Sequence, residues 1–172
     1  TSLKRLTSGV WIGTIGGADM EYYQGSLKQF AEELLAKGRG NGMMVEVAHV
    51  NELVIEDAMK KGLLFHSMTI VVTQNTIFKY ANHPKEKKGA VVPVCKYDLI
   101  EKALKTPLHI YEDPIQNEII YVFTYPYDDS KLIKVVVHPN YKLKRGVFIN
   151  SAKSWGIVVS EAFYNSQYRM IK

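Results

Sequence analysis

The sequence has few of the features that mark disulfide-stabilised, metal-binding or membrane-spanning proteins. Cys95 is the only cysteine among 172 residues, which excludes an intramolecular disulfide and a cysteine-rich zinc site. No run of apolar residues approaches the roughly 18 to 20 that are needed to cross a bilayer. The five histidines show no short-range ligand spacing with the cysteine or with a pair of carboxylates. We therefore expect no metal, no cofactor and no membrane span.

Internal repeats and low-complexity segments are also missing, and the composition of the chain is typical of a folded domain. The chain is 47% hydrophobic and 11% aromatic, which supports a packed core and argues against disorder. Its length suits one domain of ordinary size, or a compact domain with a substantial N-terminal extension. Because the sequence begins at Thr1 rather than at a methionine, we expect it to be part of a longer protein.

Acidic residues are scarce at the end of the chain. Residues 131–172 contain eight lysines and arginines but a single acid, Glu161, so the remaining 14 of the 22 basic and 16 of the 17 acidic residues precede Lys131. Separated positive charge with aromatic side chains between is typical of a surface that binds nucleic acid, because each neutralised phosphate releases counterions. A twisted sheet with solvated lysines on its outer face would give the same pattern, and composition leaves both open. The eight cations are Lys131, Lys134, Lys142, Lys144, Arg145, Lys153, Arg169 and Lys172, and the aromatic residues are Tyr141, Trp155, Tyr164 and Tyr168.

Helix signals come before strand signals along the chain. Ser26 and Gln29 form a capping box, and Asn51 is a second N-cap. These signals, together with apolar periodicity, predict helices at 26–38, 51–62, 73–82 and 97–104, with short strands at 43–50 and 68–72. From Pro107 the apolar period changes to two, which predicts strands at 108–111, 118–125, 132–138, 146–151 and 168–171 with turns between them, one of them at Trp155 and Gly156. The sequence therefore predicts an α+β fold in which N-terminal helices precede an antiparallel β-meander.

Strand alternation gathers candidate site residues in the meander. It places Lys134 and His138 on one face of their strand. Several polar residues follow close by along the chain: Lys142, Lys144 and Arg145 past the turn, then Ser151 and Lys153. On the predicted helix 73–82, Lys79 and His83 are four residues apart and therefore neighbours on the helix surface. A histidine among fixed cations can transfer protons near a phosphate group, although His83 can equally serve to end the helix before a proline.

Five short stretches resemble the phage barnase–EndoU–colicin–RelE-like nucleases. They are TIFKYANHP at 76–84, the helix at 97–105, PLHIYED at 107–113, NSAK at 150–153 and NSQYRMI at 165–171. The resemblance covers roughly residues 66–172 and implies a nuclease-like α+β domain there, with 1–65 as an N-terminal helical extension of unknown role. It implies a toxin or effector found in phages and mobile elements, acting in the cytoplasm or delivered into a target cell within a larger protein.

The resemblance implies an endoribonuclease that needs no metal, in which the 2′-hydroxyl of RNA attacks the neighbouring phosphodiester. It assigns catalytic roles to His83, Ser151 and Tyr168, and Lys79 and His138 are further catalytic candidates from the residues themselves. The expected nucleic-acid ligands are Lys134, Tyr141, Lys142, Lys144, Arg145, Lys153 and Arg169. Two other functions stay open: an inactive nucleic-acid-binding module, and a module that binds an acidic inhibitor or antitoxin.

Overall fold

The computed structural model describes residues 3–5, 10–15, 18–81, 90–164 and 167–172. In these ranges the strands are β1 (Leu3–Arg5), β2 (Val10–Ile15), β3 (Ala18–Tyr23), β4 (Met44–His49), β5 (Thr69–Thr73), β6 (His109–Asp113), β7 (Glu118–Thr124), β8 (Lys131–Lys142), β9 (Phe148–Val159) and β10 (Arg169–Met170). The helices are α1 (Leu27–Lys37), α2 (Glu52–Lys60), α3 (Gln74–Ala81), α4 (Asp98–Lys105) and α5 (Ser160–Tyr164).

The caps of the first two helices confirm the sequence prediction. The Ser26 hydroxyl accepts a hydrogen bond from the backbone of Gln29, whose side chain accepts one from the backbone of Ser26. At the other end of α1, Gly38 adopts the left-handed conformation at φ 67°, which glycine tolerates best. The side chain of Asn51 caps α2 by accepting from the backbone of Leu53. Local hydrogen-bonding chemistry therefore sets these helix boundaries.

All ten strands of the described residues belong to one mixed sheet. Its order is β1-β2-β3-β4-β5-β9-β8-β7-β6-β10. Three antiparallel regions make it up, β1-β2-β3, β4-β5 and β9-β8-β7-β6-β10, and the parallel pair β5–β9 joins the second to the third. The other parallel contact lies between β3 and β4. Because β4 pairs with β5, the sheet runs continuously across position 65.

The predicted fold, with N-terminal helices before an antiparallel meander in the manner of barnase or RelE, is wrong. Three strands precede the first helix, and the other helices are interspersed between strands. The strands from β6 to β9 do pair antiparallel in sequence order, but they form one part of a larger mixed sheet. The error has a local cause, because the glycines from Gly9 to Gly25 indicate turns and mask the short strands between them.

Four of the five helices of the described residues, α1 to α4, cover one face of the sheet, which we call the helix side. Leu34 of α1, Val54 of α2, Ile77 of α3 and Leu104 of α4 share the main hydrophobic cluster with inward residues of the strands. The opposite face, which we call the second face, carries two smaller clusters. One includes Tyr22, Met44, Val71, Val147 and Ile149, and the other is closed by Phe163 of α5.

The predicted turn at Trp155 and Gly156 is wrong, because β9 continues through both residues to Val159. Gly156 instead lies where the backbone of another segment approaches closely. The carbonyl oxygen of Ala90 would lie 3.1 Å from a β-carbon at this position, and it accepts a hydrogen bond from the backbone of Ile157 at 2.9 Å. The glycine therefore permits a close backbone approach within a strand. None of the helices in the described ranges is long and apolar enough to cross a lipid bilayer.

Candidate nucleic-acid interface

Three of the eight C-terminal cations form ion pairs with acidic residues that precede Lys131 in the sequence. Lys131 lies 3.7 Å from Asp128, and Lys153 forms an ion pair with the buried Glu118. Arg169 contacts two carboxylates, described below. The C-terminal cations are separated from most acidic residues along the sequence, but in the fold three of them lie next to acidic side chains. The remaining cations are Lys134, Lys142, Lys144, Arg145 and Lys172, the last of which donates to the carbonyl of Pro107.

Arg169 belongs to a network of two cations and two carboxylates that ties β10 and β6 to α2. Its guanidinium lies 2.5 Å from Asp57 and 3.1 Å from Glu112, and Lys61 contacts both carboxylates as well. The hydrogen bond from Arg169 is the main reason that the pKa of Asp57 is lowered. Burial alone would raise the pKa of Glu112, but the hydrogen bonds from Lys61 and Arg169 outweigh it and lower this pKa too. Both carboxylates stay charged at neutral pH, so Arg169 is engaged within the fold.

Residues 141–148, the end of the β8–β9 hairpin, form what we call the basic hairpin. The backbone of Leu143 donates to Val147, and Gly146 adopts φ 82° to close the turn. Lys142, Lys144 and Arg145 are exposed, and no ion pair within the described ranges includes any of them. The turn therefore presents three cations that are free to meet an anionic partner.

Two asparagines attach the loop at 64–69 to the base of the basic hairpin. The side chain of Asn140 donates to the carbonyl of Leu64 and accepts from the backbone of His66. Asn150, only 1% exposed, donates to the carbonyls of Ser67 and Thr69 and accepts from the backbone of Asn140. Asn140 adopts φ 52°, a conformation that asparagine tolerates better than most residues. These bonds fix both the loop and the hairpin.

Aromatic rings lie beside the free cations. Tyr141 is 46% exposed and its ring makes an edge contact with that of His138. On the other side of the hairpin, the exposed ring of His66 stacks on Phe148, with the ring centroids 4.3 Å apart and 13° between the planes. The ammonium of Lys142 lies 5.9 Å from the centroid of Phe148. The sequence alone gave no role to His66, because Phe148, the residue on which it stacks, lies far along the chain at the start of β9.

The structure brings two of the predicted catalytic residues together. His138 on β8 lies directly opposite Ser151 on β9. Ile119 pairs with Val137, so the preceding residue, Glu118, is the cross-strand neighbour of His138 on its other side. Ser151 is 6% exposed, which leaves the half-buried His138 as the member of this pair that a substrate could reach. The sequence alone gave no role to Glu118, because its position beside His138 depends on how β7 pairs with β8.

The other predicted catalytic residues lie elsewhere. The ammonium of Lys134 donates to the hydroxyl of Tyr168 at 3.4 Å. Because Lys134 and His138 are four residues apart on one strand, their Cα atoms are separated by about 13 Å. Lys79 is exposed on α3, on the helix side, and His83 lies outside the described residues. The described part of the chain therefore does not gather the predicted catalytic set at one point.

The described residues contain no group of three or more histidine, cysteine or acidic side chains that could hold a metal ion. No protein-family model matches the chain, and no curated protein or solved structure matches it either.

Proposed function

We propose that this protein binds RNA through the basic hairpin. The observation that carries the proposal is the set of three exposed cations, Lys142, Lys144 and Arg145, which have no acidic partner in the described part of the chain. Cations that are already neutralised have little left to offer a phosphate, whereas these three can release counterions from a polyanion. The hairpin backbone is fixed at its base, so the three cations stay at one end of the sheet.

RNA is the polyanion that the surroundings of the hairpin favour. Tyr141 and His66 present rings on either side of the cations, and RNA offers unpaired bases in loops and at ends that can stack on such rings. An acidic inhibitor protein would use the cations but would have no need of the rings. The same contacts would serve a nuclease and a binding module that does not cleave.

The affinity of the protein for a single-stranded RNA oligonucleotide is expected to fall steeply with salt. If three phosphates are neutralised, the logarithm of the association constant should fall against the logarithm of the salt concentration with a slope of about −2. Fluorescence anisotropy between about 50 and 200 mM salt measures this slope. Absence of RNA binding at the lowest salt, combined with binding of polyglutamate, would instead select an acidic protein as the partner.

A second candidate function, metal-independent RNA cleavage, is favoured by the position of His138 between Glu118 and Ser151. Cleavage requires a base for the 2′-hydroxyl, a cation for the charged phosphorane and an acid for the leaving 5′-oxygen. Glu118 or His138 could exchange protons, and Lys153 would supply the positive charge once Glu118, its ion-pair partner, accepts the proton of the 2′-hydroxyl and no longer neutralises it. The residues that would cleave RNA thus lie on one face of the sheet, next to the basic hairpin that would bind it.

If this candidate is correct, the protein should cleave RNA in the presence of a chelator and leave 2′,3′-cyclic phosphate ends. His138→Ala should slow cleavage by about 10²- to 10⁴-fold, the usual contribution of one proton-transfer group. His49→Ala is a matched control, because His49 is exposed on β4. RNA that stays intact, or cleavage that His138→Ala leaves unchanged, would rule out a catalytic role for this site.

A further inference from the structure

The stacked rings of His66 and Phe148 suggest which form of RNA the hairpin binds. His66 is exposed, and among the aromatic contacts of the described residues its ring meets only that of Phe148. A nearly parallel stack leaves the outer face of the imidazole turned away from its partner. That face is flat, of the right size for a nucleobase, and available for a further stacking contact.

The stack is held rigidly from both sides. The backbone of His66 donates to the side chain of Asn140 at 3.0 Å, and Phe148 sits on β9 directly opposite Lys142. A ring on a fixed backbone loses little conformational freedom when a base stacks on it. The arrangement is therefore organised before any ligand arrives.

The stack and the cations form one continuous surface. Lys142 pairs with Phe148 in the strand register and its ammonium lies 5.9 Å from the phenyl centroid. Lys144 and Arg145 follow at the turn two and three residues later. A nucleotide whose phosphate contacts Lys142 would place its base within reach of the imidazole face, because base and phosphate of one nucleotide are only several ångströms apart.

We infer that the basic hairpin selects single-stranded RNA, with an unpaired base stacked on His66 and the adjoining phosphates on Lys142, Lys144 and Arg145. Base pairs inside a duplex cannot make this contact, because each is already stacked on its neighbours on both sides. Stacking uses the π-face that all four bases share, so the selection is for unpaired bases and depends little on their sequence. The inference rests on the proposed RNA binding and adds the class of RNA and a further binding residue.

Binding of one 12-nucleotide RNA, single-stranded and as a blunt duplex, tests this with three proteins: wild type, His66→Ala and His66→Tyr. We expect His66→Ala to weaken single-strand binding by about 5- to 150-fold, to leave duplex binding unchanged, and to keep the salt slope of the wild type, since no phosphate contact is lost. His66→Tyr retains a flat ring and should restore single-strand affinity. With 2-aminopurine in the RNA, emission should be quenched on binding to wild type and to His66→Tyr, and not to His66→Ala.

Equal affinity of wild type for both RNA forms would overturn the inference, as would loss of single-strand affinity in His66→Tyr as large as in His66→Ala. Failure of the inference can be told apart from failure of RNA binding itself. If wild type binds neither RNA form, the proposed function fails. If charge reversal at the hairpin abolishes binding and His66→Ala leaves it intact, only the stacking inference fails.

Discussion

Replacing Lys142, Lys144 and Arg145 together by glutamate is expected to lower the affinity for single-stranded RNA by about 500-fold at about 50 mM salt. This figure is the counterion-release contribution of three phosphate contacts on a single strand, and the salt slope should become shallower by about 2. Repulsion from the new carboxylates would add to the loss. Anisotropy titrations of wild type and variant over a range of salt concentrations measure both quantities.

Net charge alone could weaken binding, so the control must change it equally. Lys37→Glu, Arg39→Glu and Lys102→Glu replaces three exposed cations at the end of α1 and on α4. Both triple variants move the formal net charge from +5 to −1. The control should keep most of its affinity and the full salt slope. Equal losses in the two variants would show that RNA responds to overall charge and that the basic hairpin is not the site.

Asn150→Leu is expected to lower the free energy of unfolding by about 3 kcal/mol or more. The leucine is similar in volume, but it leaves the carbonyls of Ser67 and Thr69 and the backbone N–H of Asn140 without the partner that Asn150 gave them. A buried polar group that loses its partner costs about 1–3 kcal/mol. For a chain of this size the melting temperature should fall by about 6–12 °C. Urea titration and thermal melting followed by circular dichroism measure the two effects.

Asn75→Leu is the matched control for this chemistry, because Asn75 is exposed on α3. It should change the free energy of unfolding by less than about 0.5 kcal/mol. If Asn150→Leu is as mild as Asn75→Leu, the asparagine bonds do not hold the loop at 64–69 on the hairpin. The positioning of His66 would then need another explanation.

Sequence reasoning succeeded where structure depends on near neighbours. The caps at Ser26 and Asn51 lie within three residues of their partners, and strand alternation correctly placed Lys134 and His138 on the same face. It failed for the first strands, because glycines that indicate turns surround them and the stabilising pairing of β3 with β4 is made across a helix. Gly156 shows the same limit, since the backbone that approaches it closely comes from Ala90.

The candidate site was only partly predictable for a related reason. Charge counts identified the C-terminal cations, but they could not show which ones the fold neutralises. Arg169 contacts Asp57 at a separation of 112 residues, and Lys153 contacts Glu118 on a different strand. Among the described residues, the cations of the basic hairpin, where no neighbouring strand supplies an acid, have no acidic partner. Lys134 and Lys172 lack one too, but they donate to Tyr168 and to the carbonyl of Pro107. Likewise, the stacking of His66 on Phe148 depends on two asparagine side chains that have no local signature.

The parallel pairing of β5 with β9 has a consequence for the synthesis of the chain. Ile70 pairs with Asn150, which the ribosome adds long after β5 has been made. At about 5–20 residues per second, the interval between these two positions leaves β5 without this neighbour for about 4–16 s. During that interval Ile70, Val71 and Val72 form an apolar, β-branched strand edge of the kind that recruits other nascent chains. During translation β5 is therefore an edge at which aggregation can begin, until β9 covers it.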